Sequence, residues 1–304
     1  MTSRLALASL LAAGLAGTAL AVSSPAPRVA GCPVFPATNA WNRDISHAPV
    51  DPRSDAYIRS IDSHDNHFLH ADFGGDGAYG IPYAVVPRTQ RRVPIRFTDY
   101  GDESDAGPYP IPLNAPVERG SDRHLLVVQR GTCRLYELYA AQRSGGGWAA
   151  GSGAVFDLRS NHLRPAGWTS ADAAGLPIFA GLARYGEVHA GALRHALRFT
   201  VRDTQRAYVF PARHFASDSR DPDLPPTGLR LRLKASYPLG RFHGQSLVIL
   251  RALRRYGMIV ADNGEDWYIT GASDRRWNDE DLNQLKTVPG RAFEVVRTGP
   301  LHRG

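Results

Sequence analysis

The chain alternates between short apolar runs and clusters of Gly, Pro, Asn and Asp, and most of those runs predict strands. Residues 83–87 (YAVVP), 93–98 (VPIRFT), 124–129 (HLLVVQ), 134–140 (RLYELYA), 154–158 (AVFDL) and 197–201 (LRFTV) are β-branched or aromatic in flavour. So are residues 207–212 (AYVFPA), 229–235 (LRLRLKA), 258–262 (MIVAD), 267–272 (WYITGA) and 292–297 (AFEVVR). The strict alternation of LRLRL predicts a half-exposed strand, because successive side chains of a strand point to opposite faces. Asn263-Gly264, between 258–262 and 267–272, is the signal of a tight hairpin. The Gly-rich stretch 143–153 predicts a long hairpin loop.

Helical periodicity is rarer. Residues 51–62 (DPRSDAYIRSID) carry a Pro and acids in the first turn. Within 182–196, Leu182, Tyr185, Val188, Ala192 and Leu193 fall near one face, and Leu247, Leu250 and Leu253 do so within 245–257, where Gly257 suits a C-cap. Residues 278–290 begin with Asn278 as N-cap and stop before Pro289. Many short strands with few helices predict a mainly β (α+β) fold: a β-sandwich, jelly-roll or barrel-like core with three or four peripheral helices.

The strands 124–129 and 134–140 raise a chemical question, because an apolar hairpin begins with His124 and carries Glu137 between Tyr136 and Leu138. With a two-residue loop at Arg130-Gly131 or Gly131-Thr132, strand parity puts His124, Leu126, Val128, Cys133, Leu135, Glu137 and Tyr139 on one face, and the first of these places His124 directly across from Glu137. An odd loop would put them on opposite faces. Titratable side chains carried outward on rigid strands make a site, and the Tyr and Leu neighbours would raise the carboxyl of Glu137 toward general-acid range. The alternative is a structural cross-strand pair, which is common and contributes little.

Composition narrows the setting. Residues 1–21 have the form of a signal peptide: Arg4, an apolar run over 5–15, and Ala19-Leu20-Ala21 as a small-residue cleavage site. Residues 22–31 read as a linker and 32–304 as a single β-rich domain, secreted or periplasmic and not membrane-spanning. Removing 1–21 takes away Arg4 and no acid, so the formal charge falls from +7 to +6. No Lys/Arg run with interleaved aromatics is present, which argues against nucleic acid. In an oxidising compartment the economical reading of Cys32 and Cys133 is one disulfide.

Other polar groupings are less specific. His64, His67 and His70 are spaced by three, a weak metal pattern without an H-E-x-x-H pairing. Asp99, Asp102, Glu103 and Asp105 precede a Pro-rich run presenting Tyr109, but lack the alternate spacing of a calcium loop. Trp168, Ser170 and Asp172 sit in a small-residue stretch, which is either a close-approach loop or a Ser-capped turn. Glu187, His195 and Arg198 lie near one another in sequence, and Trp267-Tyr268 follows the Asn-Gly turn.

Taken together, DRHLLVV, CRLYELY, GWTSADAAGLPI, EVHAGALRHALRFTV and RYGMIVADNGEDWYITG resemble a family of exported, uncharacterised bacterial proteins. The resemblance runs from Cys32 to Val296. It implies one continuous module and brings no activity, cofactor or catalytic residue.

The residues themselves point to an exported carbohydrate-active enzyme, a glycoside hydrolase with a carboxylate pair, acting as a monomer without cofactor on a polysaccharide or cell-envelope glycan. Glu137 is expected as general acid, Asp172 as base or nucleophile, and His124 as the group that orients Glu137. Tyr109, Tyr139, Trp168, His195, Arg198 and Trp267 are expected to bind substrate. The alternatives are a polysaccharide lyase using His195 or Tyr139 with Arg198 on an acidic polymer, a non-catalytic carbohydrate-binding module, and a metal-dependent hydrolase using the three histidines.

Overall fold

A computed structural model of the protein describes residues 25–75 and 79–304, so the expected signal peptide lies outside the described residues. The architecture is α+β with several open sheets in sandwich-like layers. The middle layer is a four-stranded sheet in the order Tyr83–Val86, Leu125–Gln129, Arg134–Tyr139, Ser152–Asp157. Its first two strands are parallel and the others antiparallel.

This sheet is apolar on both faces because it has a core on each side. Leu126, Val128, Leu135 and Phe156 face the larger core. Leu125, Val127, Tyr136 and Leu138 face a smaller one with Tyr109, Ile111 and Trp148. A continuous apolar run such as LLVV is what burial on both sides requires.

The larger core is closed by a five-stranded sheet in the order Tyr268–Ile269, Leu197–Val201, Met258–Asn263, Arg230–Leu233, Phe293–Val295. Helices α1 (Ser54–Ile61) and α4 (Gly244–Arg255) pack through Tyr57, Ile61, Ile249 and Leu253. Gly257 ends α4 at φ +70, the left-handed position that Gly adopts without a Cβ penalty. Three short helices complete the set among the described residues: α2 (Ile178–Gly181), α3 (Tyr185–His189) and α5 (Asp279–Leu282), the last capped by Asn278.

Several sequence expectations need correction. The hairpin register pairs Leu126 with Glu137, so His124 does not lie directly opposite that carboxyl. The turn occupies residues 130–133, an even loop, so the two residues keep the same face but sit two positions apart. Residues 143–153 are not a loop, because Gln142–Ser144 and Gly147–Ala150 pair as a hairpin of their own. The strands flanking Asn263-Gly264 are not neighbours: Leu197–Val201 lies between them, parallel to one and antiparallel to the other. The helix expected over 182–196 spans only Tyr185–His189. Within the expected linker, Arg28–Val29 pairs with Cys32–Pro33.

The alternating strand LRLRL is wholly buried rather than half-exposed. Arg230 donates to the carbonyls of Ala40 (2.6 Å), Arg43 (3.0 Å) and Tyr256 (2.9 Å from Nε), and Arg232 binds the Glu294 carboxylate at 2.8 Å. The alternation is real, but one of its faces is covered by the segment that follows the N-terminal hairpin. Burial of the Arg230 guanidinium pushes it down to about 9.

The disulfide joins Cys32 to Cys133 across 101 residues, with Cα atoms 5.3 Å apart. It ties the N-terminal hairpin to the turn of the central sheet. Replacing both cysteines by serine is expected to cost about 4–5 kcal/mol by the chain-entropy account, read as a lowered denaturation midpoint with unchanged far-ultraviolet circular dichroism below it.

Candidate functional site

The strand carrying Leu197, Phe199 and Val201 turns those side chains into the larger core. By the pleat, Arg198 and Thr200 take the other face, where they line a cavity of about 680 Å³ with Glu118, His124, Asp262 and Thr270. Arg198 and Asp262 come from neighbouring parallel strands, and Asp262 lies at the C-terminal end of its own strand beside Thr200. A crevice outside the carboxyl ends of parallel strands is where α/β sheets generally place ligands.

The charges around this cavity form one connected set. The Arg198 Nε donates to Asp172 Oδ2 at 3.0 Å, and Nη1 donates to Thr270 Oγ1 at 2.9 Å. Asp172 is fully buried in a turn where its own N–H donates to Ser170 Oγ (2.9 Å) and its Oδ1 accepts from the Ala174 N–H (3.4 Å). His124 places Nδ1 2.5 Å from Glu118 Oε2 and Nε2 3.1 Å from the Ala171 carbonyl. A carboxylate and a carbonyl both accept, so this pair of partners favours the ring with a proton on each nitrogen, the imidazolium. Burial alone would lower its pKa, but the hydrogen bond and charge of Glu118 overcome this and raise it.

Asp262 keeps part of its surface open to the cavity while protein crowds it elsewhere. Burial, then the charge of Asp172, pushes it up to about 7 against the opposing pull of Arg198, His124 and the Asn263 N–H. Asp122 lines the same cavity, and the phenol of Tyr139 is raised by burial and by the charges of both Asp122 and Asp262. A carboxyl held near neutrality at the wall of a cavity that Asp122 also lines, with the phenol of Tyr139 in the field of both, is suited to general acid–base chemistry.

The expected acid is elsewhere. Glu137 has no exposed surface, and its two oxygens accept from the Ile178 N–H (3.0 Å) and the Phe179 N–H (2.9 Å), the opening amides of α2. It therefore holds a short helix whose first amides have no partner within the helix. Burial pushes it up to about 7, with the two amides opposing. Asp172 is raised by burial, against Arg198, and it too has no exposed surface. The two carboxyls sense one another, yet neither reaches the cavity, so no glycosidic bond can lie between them.

The other expected residues divide. His124 and Arg198 meet at the cavity, and Tyr139 lines a second cavity that adjoins it. Trp168 is half-buried under the Arg164 guanidinium, whose carbon lies 5.6 Å from the ring. Tyr109 and Trp267 are corrected: both are buried, in the smaller and larger core respectively, and offer no face to a sugar. His195 is also buried, between Glu187 Oε2 (3.1 Å) and the Ala196 carbonyl (2.7 Å), and burial and Arg184 lower its pKa, which leaves it a structural residue of the α3 region.

The three histidines do not converge. His64 bridges Asp266 (2.8 Å) and Asp203 (3.2 Å), His67 is exposed, and His70 stacks on Tyr268 with centroids 4.4 Å apart. No group of three metal-ligating side chains occurs among the described residues. In the acidic loop, Glu103 accepts from the Thr169 N–H and Asp105 binds Arg164 and the Val155 N–H.

Asp262, Asp122, Glu118 and Thr270 were missed. The Asn-Gly signal next to Asp262 draws the eye to a turn, although an acid that ends the apolar run MIVA is itself a mark. Glu118 carries no local mark, because its tie to His124 closes a loop that only the fold reveals. Compared with known proteins, no family model matches the chain, and no curated protein and no solved structure matches it.

Glu137 and Asp262 favour the protonated form in the fold more than in the unfolded chain, so the folded state loses stability as pH rises between their ordinary values and about 7. His124 acts in the same direction higher up, its contribution being complete below 6.5 and lost as pH passes its raised value. His195, lowered by burial, opposes this trend below 6.5, but the raised carboxyls of Glu137, Asp172 and Asp262 outnumber it, so thermal midpoints are expected to fall from pH 5 to pH 8. The Glu137→Gln variant should flatten the lower part of that slope by about 3 kcal/mol, as followed by denaturant titration at each pH.

Proposed function

We propose that the protein is an exported glycoside hydrolase whose acid is Asp262 and whose second carboxylate is Asp122. The observation that carries this reading is a carboxyl pushed up to about 7 at the wall of an open cavity, with another carboxylate lining the same wall. Asp262 donates its proton to the glycosidic oxygen as the bond from the anomeric carbon breaks. Asp122 takes a proton from a water molecule whose oxygen bonds to that carbon. The sum is addition of one water across the bond, and proton exchange with solvent resets both carboxyls. The imidazolium of His124 and the guanidinium of Arg198 limit the rise in the pKa of Asp262, so that it donates near neutral pH.

The substrate is a neutral or amino-sugar polysaccharide. The cations facing the cavity are already paired, Arg198 with Asp172 and Lys286 with Asp72 at 2.8 Å, while Asp122, Asp262 and Asp279 also line it. A uronate polymer would enter against those acids and find no unpaired cation among the described residues of the wall. The lyase alternative is further weakened by the burial of His195. Export rests on the residues of the N-terminus and agrees with the formed disulfide.

Purified protein incubated with neutral, amino-sugar and acidic polysaccharides should release new reducing ends from the first two kinds. Asp262→Asn is expected to lower kcat by about 10²- to 10⁴-fold with folding intact, and activity of the wild type should decline as pH rises through about 7. Retained polysaccharide binding without any new reducing ends would replace the reading with a binding module. An Asp262→Asn enzyme as active as the wild type would remove Asp262 from the chemistry.

A further inference from the structure

We infer that the site is a cleft open on both sides of the carboxylate pair, and that the protein cuts its polymer internally rather than from an end. This rests on the hydrolase reading above and adds where along the chain the bond is cut. A second cavity, of about 260 Å³, is lined by Tyr100, Tyr139, Ser152, Thr169 and Phe215. It shares Asp122, Asp262 and Asn263 with the larger one, so the two spaces adjoin across the proposed reacting carboxyls.

A pocket that ends blindly at its acid accepts the terminus of a polymer. A space that continues past the acid holds sugar on both sides of the bond that breaks. The smaller arm lies below the roughly 300 Å³ from which self-sufficient ligand pockets start, so it takes one unit of a longer ligand rather than a ligand of its own.

The linings differ in kind. In the larger arm Tyr268 is backed by the parallel ring of His70, and the smaller arm presents Tyr139, with Phe215 stacked on His214 at 4.9 Å. Each arm therefore has an aromatic surface for the apolar face of a pyranose, with Tyr268 and Phe215 stacked on a neighbouring ring and Tyr139 tilted against His124 at 6.0 Å. Tyr100 stands at the mouth of the smaller arm with 44% of its surface exposed. Contacts in the smaller arm lie beyond the reacting bond, and binding energy gathered there lowers the barrier only when a long substrate spans the junction.

The test uses the whole chain with a soluble polysaccharide that it cleaves. The wild type should drop the viscosity of the solution early, while few reducing ends have formed, and give a ladder of intermediate lengths. Ala216 also lines the smaller arm, so Ala216→Trp fills that space and should lower kcat/KM on the polymer at least 10-fold and shift products toward short ends. Tyr100→Ala changes an exposed side chain, so it should fold, and should raise KM for long substrates with less effect on short ones.

An active wild type that releases only short sugars, with viscosity falling in proportion to reducing ends, overturns the open cleft and leaves the hydrolase intact. Unchanged polymer kinetics in both variants does the same. Complete inactivity on all polysaccharides overturns the hydrolase reading and the cleft with it.

Discussion

The site depends on one buried cation. The Arg198 guanidinium sits among Asp172, Asp262 and Glu118, bonded to the first and within the field of the others. Removing such a charge from water is costly, and only its hydrogen bonds and the surrounding acids compensate. Burial works against the charge, but the acids prevail and raise its pKa. The dependence is mutual: without Arg198, Asp172 would be an uncompensated carboxylate with no exposed surface. Arg198 is thus the counter-charge about which the acids behind the cavity wall are arranged.

The position of Arg198 is secured from behind by a chain of contacts that starts at Glu137. That carboxyl holds the first amides of α2, and α2 ends at Gly181, where a Cβ would come within 2.8 Å of the Arg198 backbone nitrogen and 2.7 Å of the Trp41 ring. The helix reaches the strand only because Gly181 has no side chain. Glu137 thus serves the site through α2 and Gly181 rather than by chemistry of its own. His124 works similarly from the other sheet: its ring ties Glu118 to the Ala171 carbonyl, so the loop that carries Asp172 is held from both directions.

What could be read from sequence follows from how local each cause is. The N-cap at Asn278, the C-cap at Gly257 and the pairing of Cys32 with Cys133 rest on short-range pattern or on the economy of two cysteines and appear as expected, and each expected apolar run holds a strand, though those at 207–212 and 267–272 pair over only two residues. The even loop placed His124 and Glu137 on one face, which is parity, but their register depended on a four-residue turn. Arg230 and Arg232 alternate as a solvent-facing strand would, and the chain that covers them lies almost 200 residues away in sequence. Asp262 lay hidden for a related reason. A local rule gave Asn263-Gly264 a sufficient role, and the parallel partner that turns the strand end into a cavity wall is distant in sequence.

Glu137 and Asp262 show why a perturbed carboxyl does not by itself mark a catalytic one. Both are pushed up to about 7, and for both the largest cause is burial. Their surroundings then differ in what is left over. Glu137 has each oxygen engaged by a backbone N–H that cannot move away, so a proton on it serves only to lower the cost of burial. Asp262 accepts from the Asn263 N–H through Oδ1 and faces open volume in a cavity that Asp122 also lines. A proton on Asp262 can be given to something that enters; a proton on Glu137 cannot. Access, rather than acidity, separates the structural carboxyl from the one proposed to react.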